Sequence, residues 1–246
     1  MEGEVAVTKF LIGLLFLLWA SRMDLRSRII PNRVWKLMFL ALLPFTLAEL
    51  LLFPHSTLEL YLALFQAVFV ISLAFIFYYL GLYGGADAKA LMVLALTFPF
   101  YPSFPPFPIL MRGFSFAFST LANAVIFAPL FAAYFFLTNL LREGVSEFRR
   151  SKLYFFIGRR VDASSIPPHH SLLEYVDERG GIVRLKRGVE PDSKMLERLK
   201  KAKKGGKVER VWVTPQIPFI VFMTLGYAMA FLLGDVLSYA VTLLLP

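Results

Sequence analysis

Cysteine is absent from this 246-residue chain, which removes thiol nucleophiles, thiolate metal sites and disulfides together. Histidine is nearly absent: His55, His169 and His170 are the three present, and all fall in loops or in one long hydrophilic stretch. No His-Glu-x-x-His run exists to hold a catalytic zinc, and no Gly-x-Ser-x-Gly turn offers a serine nucleophile. The adjacent pair His169-His170 reads as solvated surface. Charge is scarce as well. Only 17% of residues are charged and 58% are hydrophobic, against about 25% and 45–50% in a soluble domain. The first apolar run is preceded by acids, Glu2 and Glu4. It lacks a basic n-region and a small-residue cleavage site, so it reads as a retained helix rather than a signal peptide.

What remains is apolar. Runs at residues 5–23, 34–53, 60–82, 88–108, 113–141 and 216–245 each approach the roughly 20 residues that one helical crossing needs. They predict a membrane all-α bundle of six transmembrane helices. Eighteen of the 26 Lys and Arg residues lie in the hydrophilic stretch 142–213, which carries +8 of the chain's +9. That stretch is long enough for a small cytoplasmic α+β domain inserted before the last helix, dividing the chain into 1–141, 142–213 and 214–246. Within it, residues 154–161 and 172–185 are expected as strands, with Glu178-Arg179-Gly180-Gly181 as a turn. Met195, Leu196 and Leu199 mark one face of a helix that follows Pro191 and stops near Gly205-Gly206. Residues 208–213 are expected as a further strand.

Arg22, Arg26, Arg28, Arg33 and Lys36 flank the first short loop, and Lys89 follows the third run, leaving only Lys9 and Arg112 for the other side. The positive-inside rule then puts loops 24–33, 83–88 and 142–213 in the cytoplasm and both termini outside. The bland account of the basic stretch is cytoplasmic retention and contact with anionic lipid headgroups. No aromatic-basic motif accompanies the charge, so nucleic acid is not an expected partner.

Against this apolar background two acids stand out. Asp24 ends the first run, and Asp87 lies between the third and fourth. Ionisable groups at membrane depth are costly and mark functional sites by default, and both of these fall on the same expected face. The fourth run offers only residues 88–98 before a proline-rich outer loop at 99–108, about 16 Å of helix or half a bilayer core. A start below the membrane surface would sink Asp87 into the bundle, beside a flexible Gly84-Gly85 turn. Irregular backbone at that depth must line a cavity or be buried in protein. Glu49 and Asp235 fall in the outer parts of their runs and are expected to be structural. The bland alternatives are that Asp24 closes its helix beside Arg22, Arg26 or Arg28, and that Asp87 is an N-cap.

These residues resemble a family. Asp24-Leu25 followed, after four residues, by Ile30-Pro31-Asn32, together with Gly84-Gly85-Ala86-Asp87, is similar to the paired motifs of archaeal preflagellin peptidases. Those enzymes belong with type IV prepilin peptidases among membrane aspartic proteases. Ala86 stands where the strict Gly-x-Gly-Asp form has glycine, and the cysteine-containing methylation domain of the bacterial enzymes has no counterpart here. The resemblance implies a catalytic pair, Asp24 and Asp87, supported by Gly84, Gly85, Ala86, Pro31 and Asn32, with no metal and no cofactor. It implies a leader-bearing flagellin precursor as substrate, cut on the cytoplasmic side. A pilin-like precursor is the nearest alternative. A carrier or channel using the aspartates as a proton or cation site is a further one, although transporter sites favour the midplane and inverted repeats.

Overall fold

The computed structural model describes residues 1–82, 84–102 and 109–244. Helices α1 (Glu2–Ser27), α2 (Asn32–Leu52) and α3 (Thr57–Tyr79) and the helical stretch Phe116–Arg150 are long and apolar enough to cross a membrane. This is a membrane protein, mostly helical, with a small sheet-bearing part. The chain divides into one unit of Met1–Phe127 with Pro218–Pro246, and a second of Ala128–Ile217.

The first unit comprises α1, α2 and α3, then α4 (Gly85–Thr97), α5 (Phe116–Val125), α9 (Phe219–Leu232) and α10 (Val236–Leu244). Its core runs through Leu17, Met38, Leu42, Val70, Leu91, Leu94, Phe116 and Tyr227, while leucines such as Leu15 and Leu64 point outward as a lipid-facing coat. Hydrocarbon gives no hydrophobic drive between helices, so close packing and hydrogen bonds must hold them. Gly226 on α9 supplies the first, since a Cβ there would lie 2.3 Å from the Thr120 carbonyl oxygen of α5. The second is supplied between α1 and α9 by Ser21 and Thr224, whose hydroxyls lie 2.8 Å apart, and by the Tyr227 hydroxyl donating to the Phe10 carbonyl at 3.2 Å. Thr46 on α2 donates to the Thr97 carbonyl of α4 at 2.8 Å.

Two of the expected long helices are broken. The run at 216–245 is α9 and α10, separated at Gly234-Asp235, where Gly234 has φ 88°. Asp235 caps α10 by accepting from the Ser238 N–H at 2.9 Å and from Ser119 Oγ at 3.0 Å. Asn123 bridges the break, donating to the Gly234 carbonyl at 2.8 Å and accepting from the Val236 N–H at 2.9 Å. The run at 113–141 divides at Ile126 into α5 and α6 (Phe127–Arg150). Residues 103–108 of the proline-rich loop and residue 83 of the 83–88 loop lie outside the described residues.

The second unit begins with α6, which is interrupted at Gly144 (φ 78°). It continues with α7 (Lys152–Ile157), β1 (Arg159–Asp162), β2 (His170–Val176), β3 (Ile182–Val189), α8 (Ser193–Lys204) and β4 (Arg210–Pro215). The strands form one antiparallel sheet in the order β1-β4-β2-β3. Leu172, Val176, Val211 and Val213 pack with Leu199 of α8, while Leu173 and Trp212 pack with Tyr154 and Phe155 of α7. The strand expected at 154–161 is therefore helical in its first half. Its aromatic run looks strand-forming, but Phe155 packs on Trp212 with ring centres 5.4 Å apart. Asn139 of α6 also donates to the Phe155 and Gly158 carbonyls at 3.1 and 2.7 Å, which satisfies the end of the short helix. The remaining expected pieces, β2 and β3 around a turn at 177–181, then α8 and β4, are present.

Candidate active site

Asp24 lies in the last turn of α1 and is half-buried. Its carbonyl accepts the Arg28 N–H at 3.1 Å, and Arg28 turns the chain through a left-handed conformation (φ 57°, ψ 19°). The Arg28 charge also acts on the Asp24 carboxyl. The chain then passes through Ile29 and Ile30 to Pro31, which precedes α2 in an extended conformation (φ −63°, ψ 144°), so that Asn32 is the first helical residue. A helix carries partial negative charge at its C-terminal end and partial positive charge at its N-terminal end. Asp24 therefore sits where an anion is disfavoured.

Asp87 lies in the first turn of α4 and is only 7% exposed. Its Oδ2 accepts the Gly84 N–H at 3.1 Å, closing the start of the helix in the manner of an N-terminal acid. Capping accounts for that oxygen alone. The other oxygen, Oδ1, is buried with no hydrogen-bond partner among the described residues. Leaving a buried acceptor unpaired costs about 1–3 kcal/mol, more for a charged group. The start of α4 is tied to the start of α2, beside the loop that follows Asp24, by the Lys89 side chain, which donates to Asn32. Asp24 thus lies at the negative end of one helix and Asp87 at the positive end of another.

The surrounding motif residues hold this arrangement. Met23, Ile30 and Ala86 pack against the same apolar core. A Cβ on Gly85 would approach the Tyr78 ring to 3.3 Å, and one on Gly84 would lie 3.4 Å from Asp87 Oδ2. One link was not expected from the sequence. Lys89, two residues beyond Asp87, donates through Nζ to Asn32 Oδ1 at 2.7 Å, joining the first motif directly to the second. The signal was present in the spelling, Asn32 closing one motif and Lys89 following the other, but residues 57 positions apart reveal no contact by spacing. Among the described residues no group of three or more His, Asp or Glu side chains is arranged to hold a metal.

Glu49 and Asp235 make other contacts. Glu49 meets Lys9 at 2.5 Å in a buried ion pair, with the Lys9 ammonium 4.7 Å from the Phe98 ring centre. Asp235 belongs to the break between α9 and α10.

Residues 11–141 match the family described as the type IV leader peptidase family, and residues 150–236 match a second description, archaeal peptidase A24 C-terminus type II. The chain is 29% identical over 231 residues to a preflagellin peptidase of Methanocaldococcus jannaschii, covering 92% of this chain and 94% of that one. It is 26% identical over 236 residues to a preflagellin peptidase of Methanococcus voltae, covering 92% and 95%. A third preflagellin peptidase, from Methanococcus maripaludis, is 25% identical over 244 residues, again covering 92% and 95%.

Proposed function

Because this chain belongs to the type IV leader peptidase family and is a membrane-associated peptidase, we propose that it is an aspartic endopeptidase that removes the short basic leader of preflagellins. Asp24 and Asp87 are its catalytic pair. The observation that carries this reading is the buried, unpartnered Oδ1 of Asp87, in a motif whose following Lys89 is hydrogen-bonded to Asn32 of the Asp24 motif. The substrate assignment draws on relatives named as preflagellin peptidases, which align over nearly the whole chain.

Two neighbouring carboxyls in such a site share one proton, because both cannot ionise together at low cost. The ionised member takes a proton from water as the water oxygen bonds to the scissile carbonyl carbon. The protonated member gives its proton to the carbonyl oxygen, and a neutral tetrahedral diol results. On collapse, one diol hydroxyl returns its proton to the second carboxylate. The C–N bond breaks, and the leaving amine takes the proton that the first carboxyl drew from water. The pair ends as it began, with one proton between two acids. Gly84, Gly85 and Ala86 give the backbone beside Asp87 little side-chain bulk, which leaves room for an extended peptide. Pro31, Asn32 and Lys89 fix the loop after Asp24 relative to α4.

The membrane arrangement that suits this chemistry has the six crossings expected from the apolar runs of the sequence. Both termini lie outside. The aspartates and the basic stretch 142–213 are cytoplasmic, where a leader preceding a hydrophobic helix would be exposed, and anionic headgroups face the basic stretch. The distribution of Lys and Arg supports this orientation.

Purified protein mixed with a leader-bearing preflagellin in detergent should make one cut just before the hydrophobic helix. Chelators and serine- or thiol-directed reagents should leave the rate unchanged. Loss on chelation with recovery on adding a divalent metal would overturn the aspartic chemistry. Cleavage of a pilin-like precursor alone would move the substrate assignment.

A further inference from the structure

We propose that the groove between α1 and α9 binds one anionic phospholipid, with its phosphate held by Arg22 and Arg26 and a hydrocarbon chain lying along the helices. The groove is about 450 Å³ and is lined by Leu18, Leu25, Val221 and Leu225, with Ser21 and Thr224 at its floor and the two arginines beside them. Its floor offers little to a polar ligand. Thr224 already donates to the Ile220 carbonyl at 2.8 Å, and the Ser21 and Thr224 hydroxyls lie 2.8 Å from each other. The walls therefore suit hydrocarbon.

The arginines set the chemistry of the other end. Arg22 and Arg26 are four residues apart on α1, so they rise from neighbouring turns on one face. Both are exposed, and no carboxylate lines the groove. Leu18, Ser21, Arg22, Leu25 and Arg26 share that face at helical spacing, whereas Leu17 and Ala20, fully buried, lie on the face toward Asp24. The groove is thus distinct from the candidate active site although it shares the last turns of the same helix. The α9 side of the groove is formed by the first turns after Pro218. With the orientation proposed above, it opens to the inner leaflet with the guanidinium groups at headgroup depth. Guanidinium pairs with phosphate in a bidentate geometry, and hydrocarbon-lined walls capped by two positive charges complement a phosphodiester carrying long chains. A substrate helix fits less well, because the arginines would repel its basic leader.

The test counts bound lipid on the intact protein. After purification from bilayers of phosphatidylglycerol and phosphatidylcholine with matched chains, native mass spectrometry should find one phosphatidylglycerol retained in preference to phosphatidylcholine. A basic residue near an anionic lipid surface is worth about fivefold in binding, so Arg22→Gln/Arg26→Gln should weaken that retention by more than tenfold. Leu225→Trp, which fills the groove and leaves both charges, should abolish it. Lys186→Gln/Arg187→Gln, exposed on β3, should leave it intact. Equal retention by the arginine variant and the wild type would overturn the proposal, as would loss only in the β3 variant. Displacement of the lipid by inorganic phosphate alone would show that the apolar walls are not used, and displacement by leader-bearing precursor would give the groove to the substrate helix. Either result would also overturn it.

Discussion

The two carboxylate oxygens of Asp87 have different surroundings. Oδ2 closes the start of α4 through the Gly84 N–H, while Oδ1 is buried and unpaired among the described residues. An amide in its place could keep the first role and lose the second, which makes the site separable from the fold. Lys89 and Asn32 should behave differently. Their 2.7 Å contact links the two motifs without involving either acid, so the proposed mechanism gives them a positioning role. Lys89→Ala and Asn32→Ala should each lower kcat on the order of tenfold with little change in KM, since a charge-assisted hydrogen bond is worth about 1.5–3 kcal/mol. The double variant should lose little more than either single one. Fully additive losses would mean the contact does not couple the motifs. The two motifs are readable as strings, whereas the bond between them is not, because side-chain reach across 57 positions leaves no trace in spacing.

At the level of elements, the clearest departure from the apolar reading is inside the bundle. Lys9 reads as one of two cations left for the outer side and Glu49 as an outer acid, yet they form one buried pair joining α1 to α2. Removing one partner of such a pair strands a charge and costs about 3–5 kcal/mol, whereas replacing both with apolar groups is often nearly neutral. Lys9→Met should therefore lower the thermal midpoint sharply in detergent, and Lys9→Met/Glu49→Leu should recover most of the loss. A double variant as unstable as the single one would contradict this. In the sheet-bearing unit, the exposed Asp162 is held well below the usual carboxylate range, first by its hydrogen bond from Lys203 and then by Ser164. A lowered folded pKa gives stability that is present above the unfolded value and lost as pH falls through the folded one. Asp162→Asn should thus cost a small amount of stability at neutral pH and low salt, with the difference shrinking in acid or high salt. A difference that grew in acid would reverse the assigned sign.

For the whole molecule, hydropathy was enough to find the apolar segments, because a chain in hydrocarbon must satisfy its backbone within helices. It could not find where those segments break. The division of 216–245 at Gly234 depends on Asn123 bridging the free backbone groups from a helix 111 residues earlier, and the helix at α7 depends on Trp212 and Asn139. Both are tertiary effects that local pattern does not encode. Asp24 and Asp87 stand out together in the sequence because the two motifs resemble those of a known family and share one expected face. The geometry adds an orphaned oxygen on one acid and a mismatched helix dipole around the other.

The central claim is that these two carboxyls perform the chemistry. It is tested most directly by the turnover of purified Asp24→Asn and Asp87→Asn on a leader-bearing preflagellin, each checked for an unchanged thermal midpoint. A lost proton-transfer group typically removes about 10²–10⁴-fold in rate, so each variant should lose at least the lower figure while remaining folded and membrane-inserted. Near-wild-type turnover by either folded variant would contradict the account.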